Sequence, residues 1–199
     1  MSLQPSLLPS PPEFCRTARG AFLTGVPGAL ALWAGFANDA VSLPPLVLLY
    51  PLCLALLGVS AASRGAALRR GWLCAWAGHA AALYWLALPV HNVGGLPWPL
   101  AVPCALFVSA CLAAAGGLFS LAAFHLRQRT ALMFITGLAA TWYSLEWLFA
   151  VVAGFPWLPL AGALTAWPIL TQAADSVGAC MVGALWTAAA LALCWPGRA

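Results

Sequence analysis

The sequence contains no lysine, and its 199 residues include only four acids: Glu13, Asp39, Glu146 and Asp175. Without lysine there is no Schiff-base chemistry and no ammonium group to activate a nucleophile within this stretch. Charged residues make up only 6% of the chain. An ordinary soluble domain wets its surface with about 25% charged residues, so that class is excluded. Also missing are a Gly-x-Ser-x-Gly elbow and a glycine loop of the kind that cradles phosphate. Of the seven cysteines no two form a Cys-x-x-Cys pair, and His79, His91 and His125 are scattered. Zinc sites need closely spaced Cys and His ligands, so no metal is expected, and no motif asks for another cofactor. Six of the cysteines fall inside apolar runs, where a free thiol acts as a small buried hydrophobe.

What the chain has instead is hydrophobic length. Apolar residues make up 64% of it, and the mean hydropathy is +0.95. A membrane helix needs about 20 such residues, and six runs approach that length: 20–36, 43–62, 71–90, 98–126, 131–152 and 169–195. Asp175 implies that the membrane part of the last run starts later. These runs are too long and too uniformly apolar for barrel strands, which alternate over short segments. The expected fold is an all-α integral membrane protein with about six transmembrane helices.

The arginines order these runs. Arg16 and Arg19 precede the first, and Arg64, Arg69 and Arg70 lie between the second and third. Arg127 and Arg129 separate the fourth from the fifth, and Arg198 follows the sixth. Six spans with a cytoplasmic start place all eight on the cytoplasmic side, as the positive-inside rule requires. The net charge of +4 therefore reflects topology and implies no nucleic-acid partner. Residues 1–14 read as a proline-rich disordered lead, and 15–199 as one polytopic domain. A second reading of the start, a cleaved signal peptide ending near residues 34–37, would leave five spans.

Two irregular stretches stand on the outer side. In 83–97, His91, Asn92, Gly94, Gly95 and Pro97 break the third run from the fourth. In 146–162, Glu146 is followed by "GFPWLPL", with Phe155, Pro156 and Trp157 at its centre. Glycine frees the backbone for tight bends and proline blocks helix continuation. Non-helical backbone at membrane depth persists only where protein or a wet cavity satisfies it. An acid inside a span is costly and marks function or a buried partner. An interfacial aromatic belt accounts for many of the 11 Trp as well, and the two readings stand side by side.

"GFPWLPLAG" followed by "LTQAADSVGACMVGALW" resembles the segment joining the fifth and sixth membrane helices of apolipoprotein N-acyltransferase. "GWLCAWAGHAAALYWLALPVHNVGGLPWPLAV" is similar to the third helix and outer loop of the same family, and Gln172, Asp175 and Gly178 match its pattern ahead of helix six. The resemblance covers nearly the whole chain, but only the family's amino-terminal membrane part. It implies acyl transfer from a phospholipid, through a cysteine thioester, to the amino group of an apolipoprotein's diacylglyceryl-cysteine. It also implies that the Glu–Lys–Cys machinery belongs to a nitrilase-like domain reached after a seventh helix. With six runs and no lysine, this stretch is expected to lack that machinery, so no residue in it is expected to be catalytic. Partners implied are membrane phospholipid, the apolipoprotein and a separate nitrilase-like chain. On the resemblance, Phe155, Pro156 and Trp157 would line an acyl-chain entry, with His91, Gly94 and Gly95 shaping the opposite rim. Phe149 stands where the family usually has arginine, which deprives Glu146 of an ion partner.

Three functional readings remain at this point: the membrane half of a split or truncated acyltransferase, a silent lipid-binding or scaffolding relative, and a small transporter. A transporter should show paired half-repeats with helices broken near the midplane, whereas the breaks here lie at the outer ends. The topology is checked by labelling cysteines introduced singly in a cysteine-free background. Asn92→Cys should react with an impermeant maleimide in intact cells, and Ser2→Cys should react only after lysis.

Overall fold

Thr17 opens the first helix: its hydroxyl accepts from the Gly20 amide at 3.0 Å, satisfying one of the amide groups that a helix start leaves unpaired. The computed structural model describes residues 17–36, 40–154 and 156–194. The lead at 1–14, Asp39, Phe155 and the last five residues lie outside the described residues. Helix α1, Ala18–Gly35, carries Pro27 in its interior. Pro44 and Pro45 then set a tight turn, Pro44–Leu48, that runs into α2, Leu49–Val59. Nearly every residue of α2 is buried, because it is apolar on all sides and other helices surround it.

Helix α3, Arg64–Ala82, starts at the cap hydroxyl of Ser63, which accepts from the Ala66 amide at 3.2 Å. It breaks at Leu83. A tight turn, Tyr84–Leu86, leads into α4, Ala87–Asn92, and this second piece is bent 59° from α3. Pro89 explains the break, because its ring and missing N–H cannot continue the ladder of α3 but suit the first turn of a new helix. Helices α5, Trp98–Leu112, and α6, Ala114–Leu126, are nearly continuous. Helix α7, Ala131–Ala153, starts at Thr130, whose hydroxyl accepts from the Met133 amide at 3.3 Å. Its buried residues are Phe134, Leu138 and Trp142, a four-residue repeat that makes one narrow inward stripe. Gly154 ends α7 at φ 66°, a left-handed conformation that glycine adopts without steric cost. Three single turns, Leu160–Ala163, Pro168–Thr171 and Ala174–Val177, precede α8, Ala179–Cys194.

Helices α2, α3 and α6 approach so closely that side chains larger than hydrogen do not fit between them. A Cβ on Gly58 would land on the Ser120 carbonyl oxygen, and one on Gly71 on the Ser120 side chain. A Cβ on Gly116 would strike Ala75. The Ser120 hydroxyl donates to the Leu54 carbonyl at 2.8 Å. Small residues with a side-chain hydroxyl are how helices gain contact where the solvent offers no hydrophobic drive. Two indoles staple α3 to α5: Trp72 Nε1 donates to the Ala110 carbonyl at 3.0 Å and Trp76 Nε1 to the Leu106 carbonyl at 3.2 Å. At one end, Arg127 lies over the Phe124 ring and donates to the Ala61 carbonyl at 2.9 Å. The directions of the helices bring Arg19, Arg64, Arg69 and Arg70 to that same end.

The spans differ from the expected ones. Among the described residues, Trp98–Leu126 and Ala131–Ala153 are long and apolar enough to cross a membrane, and α3 with its bent continuation makes a third if counted as one. The 43–62 run is helical only over Pro44–Val59, because its prolines tighten its start. The 71–90 run begins earlier, at Arg64, and is broken at Leu83. The 169–195 run is broken by Gly178 at φ 84°, leaving the shorter Ala179–Cys194.

The glycine contacts predict a sharp contrast. Gly71→Ala should lower the thermal midpoint in detergent, since overpacking of this kind costs about 1–3 kcal/mol. At Gly65 a new Cβ meets nothing within 4 Å, so Gly65→Ala should stabilise by about 1 kcal/mol through helix propensity. Scanning fluorimetry of the two variants checks both signs.

Candidate functional site

Glu146 continues the inward stripe of α7, four residues after Trp142. One of its oxygens, Oε1, accepts twice, from Trp142 Nε1 at 2.8 Å and from the Leu160 amide at 2.7 Å. The second bond caps the turn Leu160–Ala163, whose first amide would otherwise have no partner. A single carboxylate oxygen thus ties the "GFPWLPL" corner back onto α7. Its other oxygen, Oε2, is enclosed and has no hydrogen-bond donor among the described residues. It rests against α8, where a Cβ on Gly183 would come within 2.8 Å of it. A buried acceptor left without a donor costs about 1–3 kcal/mol.

The corner itself is held under strain. Leu158 has φ 46°, a conformation that costs a non-glycine residue roughly 1–3 kcal/mol and persists only where the surroundings over-determine it. Pro156 and Pro159 fix the backbone on either side, and Leu160 is 1% exposed and so anchored in the core.

Behind the corner lies a cavity of about 150 Å³. Its wall is built from most of the bundle: Leu32 of α1 and Phe36 just past its end, Val47 and Tyr50 at the entry to α2, His79 of α3, and Leu112, Ala115 and Gly116 where α5 meets α6. Trp142, Leu145, Glu146, Phe149 and Ala150 of α7 face it, the stretch Pro156 to Leu160 forms its lip, and Ala179 and Cys180 of α8 close it. Trp142 is packed edge-on by Tyr50 and Phe119, with ring centroids 5.9 and 5.1 Å away. The lining is almost wholly apolar, and among the described residues it contains no arginine.

The structure brings Glu146, Pro156 and Trp157 together around this cavity. It does not bring His91, Gly94 or Gly95 there. His91 instead closes its own loop: Nδ1 lies 2.6 Å from the Leu96 carbonyl, and the ring stacks on Trp98 with centroids 4.4 Å apart. Gly95 serves the same turn, at φ 68°. The opposite wall is built by Tyr50, His79 and Leu32, which carry no local sequence signal because their meeting depends on how α1, α2 and α3 pack. Phe149 lines the cavity one turn beyond Glu146, where it adds an apolar ring beside the acid. Among the described residues, no three His, Cys, Asp or Glu side chains group to hold a metal.

This arrangement defines an all-helical bundle with an almost wholly apolar cavity among its helices. Comparison with known proteins narrows the class. The family described as Apolipoprotein N-acyltransferase N-terminal domain matches residues 28–192. An apolipoprotein N-acyltransferase of Bordetella bronchiseptica is 39% identical over 166 residues, covering 71% of this chain and 30% of the relative. One of Chromobacterium violaceum is 35% identical over 133 residues, covering 65% of this chain and 25% of the relative. The chain belongs to the apolipoprotein N-acyltransferase N-terminal domain family, and it spans less than a third of the length of these relatives.

The tie through Glu146 makes a prediction about the corner. Glu146→Leu removes the acceptor for the Leu160 amide, so hydrogen exchange in peptides covering 156–163 should speed up by about tenfold, the equivalent of roughly 1.4 kcal/mol. Glu146→Gln keeps an oxygen at the same place and should exchange nearly as wild type does. Gly183→Ala, which pushes on the carboxylate from behind, should resemble Glu146→Leu, and combining the two should add little.

Proposed function

We propose that these residues form the membrane module of an apolipoprotein N-acyltransferase of the bacterial inner membrane, crossing six times with both ends cytoplasmic. In this role the cavity behind the corner holds an acyl chain of a phospholipid while the chemistry is done by a nitrilase-like part. Its task is maturation of lipoproteins, by transfer of that acyl chain to the amino-terminal cysteine of an apolipoprotein. The observation that carries the reading is an apolar cavity whose lip is the "GFPWLPL" corner, fastened by Glu146. Burying an apolar chain there is favourable at about 25 cal/mol per Å². A phosphate would have to be desolvated without a cation among the lining residues, at a cost of several kcal/mol. The headgroup therefore stays at the lip, and the tail enters. The short helices α2 and α8 complete their crossings with the flanking turns, and thinning of the bilayer around short segments costs only fractions of a kcal/mol per Å.

Coexpression with the remaining part of a relative, in a strain depleted of its own enzyme, tests this reading. The pair should restore growth. Trp157→Ala should weaken rescue by roughly ten- to hundredfold, the equivalent of losing about 1.5–3 kcal/mol of side-chain burial against the ligand. Trp147→Ala, at an indole 54% exposed on the outward face of α7, should leave rescue unchanged. Equal effects at the two positions would reduce the corner to an anchor.

A further inference from the structure

The cavity has a second polar feature at its inner end. Tyr50 and His79 both line it, though each is more than nine-tenths buried, at 4% and 8% exposed. Their rings meet edge-on with centroids 6.4 Å apart. His79 Nδ1 lies 2.7 Å from the Ala75 carbonyl. A carbonyl can only accept, so Nδ1 carries the hydrogen, and the neutral ring presents Nε2 as an acceptor. Neither Nε2 nor the Tyr50 hydroxyl hydrogen-bonds to any group among the described residues, and neither is among the polar atoms that the protein seals off completely. Buried polar groups without partners are rare and point to something that fills them.

From this juxtaposition we infer that Tyr50 and His79 form a seat for an uncharged hydroxyl group at the inner end of the cavity, carried on an apolar chain. The matching is reciprocal: a ligand hydroxyl donates to His79 Nε2 and accepts from the Tyr50 O–H. Its chain then runs outward past Leu32, Leu145 and Phe149 toward the exposed Pro156. A carboxylate or phosphate end group is disfavoured, since a charge would be buried with no arginine in the lining. A plain alkyl end leaves both polar atoms unpaired. The seat thus distinguishes chains by their terminus, a selectivity that the apolar wall alone does not supply. It rests on the proposed reading of the cavity as a place for an apolar chain.

The test uses the whole 199-residue chain in lipid nanodiscs with two photoreactive probes, a diazirine-bearing long-chain 1-alkanol and the alkane of matched length. Crosslinks are mapped by mass spectrometry. The alkanol should label cavity residues at about fivefold lower concentration than the alkane, the effect of one net hydrogen bond. Tyr50→Phe should abolish that difference. It should not lower the thermal midpoint of the unliganded protein, because the deleted hydroxyl had no partner to lose. His79→Leu should likewise abolish the difference, and if it does not fold, Tyr50→Phe decides alone. Equal labelling by both probes in the wild type overturns the seat while leaving the apolar cavity intact. Labelling by neither overturns the seat together with the reading of the cavity on which it rests.

Discussion

Ser120 stands where three helices meet, and the closeness of that meeting governs the rest of the fold. Its carbonyl is packed against Gly58 of α2, its side chain against Gly71 of α3, and its hydroxyl bonds to the Leu54 carbonyl. Where the surroundings are apolar, helices gain nothing by hiding leucine from water, and contact must come from close backbone approach and shared hydrogen bonds. Gly58 and Gly71 supply that approach at the arginine end of the bundle. Toward the other end, bulkier groups such as Tyr50, His79, Trp142 and Phe149 stand between the helices, and the space they hold open is the cavity.

At the hollow end, the unusual features all concern one stretch of backbone. Leu158 is strained, Pro156 and Pro159 remove amide donors, and the Leu160 amide would have nothing to pair with except Glu146. An acid in an apolar bundle is costly, yet here one oxygen satisfies two donors from different elements. The acid is thereby explained as structure before any role toward a ligand is considered. The aromatic groups around Trp142 have a similar double part, since edge-on packing with Tyr50 and Phe119 fixes the indole whose N–H orients the carboxylate.

Much of this was legible in the residues. The helical, apolar character follows from composition, and the corner from its prolines and Gly154. Glu146, Pro156 and Trp157 could be picked out as a group because they lie within twelve residues of one another. Span lengths were less legible: Pro89 and Gly178 cut helices that hydropathy alone leaves whole. His91 was misplaced because a histidine beside glycines resembles a rim, whereas its ring is spent on Leu96 and Trp98 within its own loop. Tyr50 and His79 gave no sign, since one sits in an ordinary apolar run and the other among alanines. Only the antiparallel packing of α2 against α3, which sets the start of one beside the end of the other, makes them neighbours.

Gly183 shows how far such a constraint can reach. It is 37 positions from Glu146 in the chain, yet its missing side chain is the space that the carboxylate occupies. The two positions are therefore sterically coupled. A side chain gained at 183 must push the carboxylate aside or shift α8 outward, so the hold of Glu146 on the Leu160 amide depends on a residue of a different helix.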